Sequence, residues 1–153
     1  MAAYSKRGII TQGGADTFTS SSIDTNITAD GKAGWLIVAF SAYYANGETA
    51  AAADSDVNCI LATQAAVTTF DQDEEIYRLN WSVANTGGVA VALSLNLVKR
   101  EILIEPRVTV QPALYVQAAS TLSGIANIFY WEMHYDIVKL TDLEVLRLLQ
   151  GGV

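Results

Sequence analysis

Residues 125–139 read IANIFYWEMHYDIVK and form the clearest strand pattern of the chain. Side chains on a β-strand point alternately to its two faces. One face here carries large apolar side chains, namely Phe129, Trp131, Met133, Tyr135 and Ile137. The other face is mostly polar and carries Tyr130, Glu132, His134 and Asp136. This period of two predicts a strand of a β-sandwich that packs on the core by one face only.

Strand patterns of this kind recur along the rest of the chain. Residues 1–30 are rich in Thr, Ser, Asp and Gly, and we interpret them as an extended N-terminal arm or edge strand. Further strands are predicted within 34–44, 57–63, 66–70, 77–83, 89–97, 102–104 and 108–116, and Leu93 and Leu95 are expected in the core. About eight strands, with turn residues between most of them, predict a single all-β domain over residues 1–153. Its architecture is an antiparallel sandwich or barrel.

The strand predicted at residues 34–44 is apolar on both faces. Strict alternation places Leu36, Val38, Phe40 and Tyr44 on one face and Trp35, Ile37, Ala39 and Tyr43 on the other. Both faces then require burial, so we expect two covering layers, and the second layer could be another chain.

A short helix is predicted to close the chain. Thr141 can cap its N-terminus while Glu144 returns the hydrogen bond, which is a capping box. Leu140 and Val145 are placed to form the matching hydrophobic staple, and Gly151 suits the residue beyond the helix end. The helix carries more apolar side chains than one sheet edge buries, so a neighbouring subunit is a reasonable second partner. The candidate subunit-interface residues are Tyr43, Tyr44, Leu143, Leu146 and Leu149.

The composition is apolar and weakly charged. Hydrophobic residues make up 51% and charged residues 16% of the 153 residues, against about 25% charged in a typical domain. This balance favours a surface that other protein covers, and the alternative is a compact, weakly charged monomer. No apolar run reaches the ~20 residues of a transmembrane helix, and the N-terminus lacks the apolar core of a signal peptide. We therefore expect a protein made in the cytoplasm.

The charge distribution bears on nucleic-acid binding. The formal net charge is −7, and Lys6 and Arg7 are the only basic residues near the N-terminus. A basic arm that neutralises many phosphates is thus missing, and direct binding of nucleic acid is not expected.

The segment from Pro112 to Thr121, the Gly124 turn and the strand ending at 135–140 (YDIVKL) together resemble the last two strands of single jelly-roll viral coat proteins. The resemblance covers roughly residues 107–141. It implies an eight-stranded jelly roll whose subunits build an icosahedral shell, with other copies of the chain and other shell proteins as partners and the virion as location. The chain departs from that pattern in lacking a basic arm and in adding a helix. A subunit without an arm packs its genome indirectly, or is a vertex or minor shell protein.

Residues that could carry chemistry are few. Glu132, His134 and Asp136 share one face of a strand, but zinc sites usually need several His or Cys ligands and this chain has one of each. Acidic residues at 71–75, and Asp54 with Asp56, could offer oxygens to Ca²⁺, although the spacing is not that of an EF-hand. Cys59 lies in an apolar run, which indicates a buried structural thiol. We predict no catalytic, metal or cofactor site and no enzyme.

Two functions are compatible with these patterns. The first is a structural subunit that self-assembles into a viral or virus-like shell through apolar interfaces. The alternative is a lectin-like or receptor-binding β-sandwich module of a phage tail or fibre, with its site in loops at one end.

Overall fold

The computed structural model describes residues 3–12, 18–27, 32–44, 55–65, 75–83, 98–121 and 128–149. These residues form eight strands and one helix: β1 (Tyr4–Thr11), β2 (Thr19–Asp24), β3 (Ala33–Tyr44), β4 (Ser55–Ala62), β5 (Glu75–Val83), β6 (Val98–Thr109), β7 (Ala113–Ser120), β8 (Ile128–Lys139) and α1 (Asp142–Leu149). The predicted all-β class with a short C-terminal helix is confirmed.

The strands form two four-stranded antiparallel sheets, with the orders β1-β8-β3-β6 and β2-β7-β4-β5. The first strand pairs with the eighth, the second with the seventh, the third with the sixth and the fourth with the fifth. A long antiparallel ribbon folded over into two sheets gives this order, which is that of a jelly roll. The closing strand β8 therefore lies inside its sheet, between β1 and β3.

The core lies between the two sheets, and β8 contributes its apolar face to it. Phe129, Trp131, Met133 and Tyr135 are buried, as the alternation predicts, in one cluster with side chains of both sheets. Ile137 is an exception, because it is exposed although it follows in the same series. It lines an open depression beside Asn26 and Ile27, where the opposite sheet does not cover it.

A β-bulge in β3 corrects the strict alternation expected there. Ile37 pairs with Tyr135 and Ala39 with His134, so Val38 is an extra residue relative to β8. A bulge shifts the alternation by one residue. Trp35 and Ile37 are buried in the core before it, and Phe40 and Ala42 after it. The two apolar faces thus arise largely from one core-facing set that changes phase at Val38, and a second covering layer for Phe40 is not required.

Strand β6 also differs from the sequence expectation. The sequence predicts a short strand at 102–104, which Pro106 terminates, and a separate strand from Val108. In the structure, β6 instead runs through Pro106 to Thr109, and β7 starts at Ala113. Proline lacks a backbone N–H and is tolerated at the edge of a sheet, which is where β6 lies. The strands predicted at 66–70 and 89–97, with Leu93 and Leu95, lie outside the described residues.

A buried amide links the two sheets. Gln12 follows β1, and its Nε2 donates to the backbone oxygen of Ser120 at 3.0 Å while its Oε1 accepts from the Ser120 N–H at 3.0 Å. Ser120 ends β7 in the other sheet. The side chain thereby satisfies backbone groups as a strand neighbour would, and each bond contributes on the order of 1 kcal/mol.

Candidate assembly surfaces

Helix α1 is held in a defined position at the end of β8. The Thr141 N–H donates to Glu144 Oε2 at 2.7 Å, and the Glu144 N–H donates to Thr141 Oγ1 at 3.4 Å, so the predicted capping box is present. The Leu140 N–H donates to the backbone oxygen of Lys32 at 2.7 Å, and Lys32 Nζ lies 3.0 Å from Asp142 Oδ1. These bonds attach the helix to the start of β3.

The side chains of α1 leave an apolar surface uncovered. No residue of the helix is buried. Val145 and Leu148 are half-buried, whereas Leu143, Leu146 and Leu149 are 58%, 52% and 48% exposed. Residues three apart lie on one side of a helix. We name these three exposed residues the leucine stripe, and all three are interface candidates from the sequence.

A second apolar surface lies on the outer face of the sheet β1-β8-β3-β6. Ile9 pairs with Tyr130, and Tyr130 pairs with Tyr43, so the three side chains form a line across β1, β8 and β3. Ile9 is 59% and Tyr130 is 43% exposed, while Tyr43 is half-buried with its ring centroid 6.1 Å from that of Tyr130. We name this line the outer row. The side chain of Tyr44, the remaining candidate, lies outside the described part of the structure.

A charged row runs beside the outer row on the same face. Arg7 contacts Glu132 with its NH2 nitrogen at 3.0 Å and its Nε at 3.1 Å, both to the same carboxylate oxygen. His134 Nε2 lies 3.3 Å from that oxygen, and Asp136 accepts a hydrogen bond from the Ala3 N–H at 2.6 Å. The predicted polar face of β8 therefore points outward and binds the edge strand β1. An exposed ion pair such as this one contributes at most about 1 kcal/mol.

The two rows border an open depression of about 660 Å³. Its lining includes the outer row, Arg7 and Glu132 from the charged row, and Ser41 of β3. Ile9 and Tyr130 were not among the sequence candidates, because only the register of β1, β8 and β3 aligns them with Tyr43. The leucine stripe lies at the other end of β8, about 30 Å from the outer row at ~3.3 Å per strand residue.

Trp35 and Trp131 belong to the core. The Trp35 and Tyr135 rings stack at 3.8 Å, and Tyr4 stacks on Tyr135 at 5.6 Å. Trp35 and Trp131 are buried. Burial, with a smaller contribution from Tyr4, raises the pKa of Tyr135. These contacts support packing of Trp35 and Trp131 in the core, as the sequence predicts, and not a platform for stacking sugars.

Cys59, Glu75 and Asp56, which the sequence offered for possible chemistry, have structural roles. Cys59 is buried, and desolvation raises the pKa of its thiol to about 12. Glu75 is bound to Arg78 at 2.7 Å, and the Asp56 backbone bonds Thr121, while Asp54 and residues 71–74 lie outside the described residues. Within the described ranges, no three His, Cys, Asp or Glu side chains group as a metal site. The same part of the chain holds no helix long and apolar enough to cross a membrane.

Comparison with protein-family models gives no match to this chain, and comparison with the curated proteins gives none either.

Proposed function

We propose that this chain is a structural subunit of a viral or virus-like protein shell, which acts by self-assembly through apolar surfaces. The observation that carries the proposal is the leucine stripe, because three leucines project from a capped helix that buries none of its residues. Large exposed apolar patches are characteristic of interaction sites. The partners would be other copies of the chain and other shell proteins in the virion, without direct binding of nucleic acid.

The positions of the two apolar surfaces support an assembly with many subunits. The leucine stripe and the outer row lie near opposite ends of β8, so one subunit can contact two neighbours at once. Covering a leucine that is half-exposed gains about 1 kcal/mol, half of the value for complete burial. Association costs at least about 4 kcal/mol, so a single contact of this size is weak. A closed shell, in which each subunit makes several contacts, suits weak individual contacts.

The jelly-roll fold is compatible with a shell subunit but does not by itself establish that function. Jelly rolls occur in viral capsid proteins, in lectins and in cupins, and a fold does not determine a function. The open depression between the outer row and Arg7 favours the alternative, a lectin-like or receptor-binding module of a phage tail or fibre. Tyrosine rings beside charged groups could bind a polar ligand such as a saccharide.

Negative-stain imaging and sedimentation of the purified, unmodified chain separate the two functions. A shell subunit is expected to form closed particles or stable rings at high protein concentration. A monomer or a trimer at that concentration would contradict the shell proposal and leave the binding module in its place.

A further inference from the structure

We infer that the two apolar surfaces are the two halves of a single contact, in which the leucine stripe of one copy docks across the outer row of the next copy. This inference rests on the proposed function and specifies which surfaces meet. It also assigns Ile9 and Tyr130, which the sequence did not single out, to the assembly interface.

The occupant of each surface must come from another molecule. Helix α1 starts three residues after β8 ends and is attached to Lys32 through the Leu140 N–H. The outer row lies towards the opposite end of β8, about 30 Å away by strand geometry. The helix therefore cannot reach the outer row of its own chain, whereas a second copy presents the same helix without that restriction.

The dimensions of the two surfaces match. Leu143 and Leu149 are six residues apart, which at 1.5 Å per residue is about 9 Å along the helix. The outer row spans three neighbouring strands, and two strand spacings of ~4.8 Å make it about 10 Å long. Successive leucines of the stripe are turned by about 60° around the helix, so a helix lying across the strands points Leu146 at the middle of the outer row, with Leu143 and Leu149 on either side of it.

The flanking charges favour one orientation of the docked helix. Asp142 is in the first turn of α1 and lies four residues before Leu146, so the two side chains are on one side of the helix. With its first turn over β1, the helix brings Asp142 beside Arg7, whose side chain is 75% exposed. Opposite charges thus meet over β1, whereas the reversed helix moves Asp142 away from Arg7.

A contact between two different surfaces has a geometric consequence. Each copy uses its leucine stripe towards one neighbour and its outer row towards another, which is a heterologous contact. Repeated heterologous contacts close into a ring when the rotation permits and otherwise extend as a helix. The rings expected of a shell subunit follow directly from this pairing.

Mixing two variants tests the inference. Leu146→Asp removes the leucine stripe and keeps the outer row, whereas Tyr130→Asp removes the outer row and keeps the stripe. Each variant alone is expected to sediment as a monomer. At the high protein concentration at which the unmodified chain assembles, an equimolar mixture is expected to contain a dimer of twice the 16.4 kDa chain mass, because one intact contact is restored. Ile137→Asp is the matched control, since Ile137 is similarly exposed but belongs to neither surface, and it should assemble as the unmodified chain does.

The outcomes distinguish this inference from the proposed function. If the unmodified chain assembles but the two variants form separate homodimers and no mixed dimer, each surface pairs with itself and the inference is wrong. If Ile137→Asp also abolishes assembly, the two surfaces are not specific and the inference is again wrong. A monomeric unmodified chain would contradict the proposed function itself. Should Tyr130→Asp fail to fold by circular dichroism, Ile9→Asp disrupts the same row at a more exposed residue.

Discussion

The closing strand β8 and the helix α1 are separated by two residues, yet their apolar side chains have opposite surroundings. Phe129, Trp131, Met133 and Tyr135 of β8 are buried between the sheets. Helix α1 has a comparable number of apolar residues and buries none of them. The difference shows that apolar periodicity identifies a face that requires burial, but not whether the same chain or another one covers it.

The strongest test of the β8 side of this comparison is Phe129→Ala. Phe129 is fully buried in the core, so the truncation should destabilise the fold by about 3–5 kcal/mol through lost transfer energy and a cavity. Denaturant unfolding measures the change. His134→Ala is the control on the outer face of β8, outside the leucine stripe and the outer row, and should cost well under half as much. Equal losses at the two positions would mean that β8 does not have one buried and one exposed face.

A smaller loss of folding stability is expected from a substitution at Gly8. This residue of β1 lies opposite Trp131 of β8, on the core side of the sheet. A Cβ built on Gly8 would lie 2.5 Å from Trp131 Cζ2, which is too close for real atoms. Gly8→Ala should therefore cost about 1–3 kcal/mol, as overpacking does. Trp131 Nε1 has no hydrogen-bond partner among the described residues, so Trp131→Phe loses no such bond and makes room. The double variant should recover part of the loss, and a purely additive loss in thermal unfolding would contradict this packing.

The helix cap should have a weaker and more local effect. Thr141→Ala removes the hydroxyl that accepts from the Glu144 N–H, which costs about 1 kcal/mol of helix stability. Because α1 buries no residue, amide hydrogen exchange should accelerate in 142–149 while the denaturation midpoint of the sandwich changes little. A large shift of that midpoint would show that the helix supports the core.

The capping hydrogen bonds also predict that the stability of helix α1 depends on pH. The hydrogen bond from the Thr141 backbone lowers the pKa of Glu144, with further lowering by the Thr141 hydroxyl and by Arg147. A carboxylate with a lowered pKa stabilises the folded state above its ordinary pKa and loses that effect as the pH falls through the folded pKa. The protection of the α1 amides, measured against their intrinsic exchange rates at each pH, should thus fall in acid, and Glu144→Gln should remove this fall. An unchanged pH profile in Glu144→Gln would contradict the assignment.

The features that the sequence predicted well are local ones. The alternation of β8 and the capping box at Thr141 depend on residues a few positions apart, and both are present in the structure. The exposure of Ile137 could not be read from the same alternation, because it depends on where the opposite sheet ends. The bulge at Val38 was equally hidden, since a bulge becomes visible only through the pairing of β3 with its neighbours.

The two candidate assembly surfaces also differ in how much of them the sequence predicts. The leucine stripe was predicted because helical spacing brings Leu143, Leu146 and Leu149 together. The outer row was missed except for Tyr43, because Ile9 and Tyr130 join it only through pairing across more than 120 residues of chain. Ile9 and Tyr130 are far apart in the sequence, so no local pattern identifies them as neighbours.

Sedimentation of Leu146→Asp beside the unmodified chain, with circular dichroism as a check of folding, tests whether the leucine stripe is the assembly contact. Leu146 is exposed, so the charge should change the free energy of unfolding by no more than about 0.5 kcal/mol. We expect a folded monomer for the variant and a large assembly for the unmodified chain. An unfolded variant would instead make α1 a lid on its own core, and a variant that still assembles would show that the leucine stripe is not the contact.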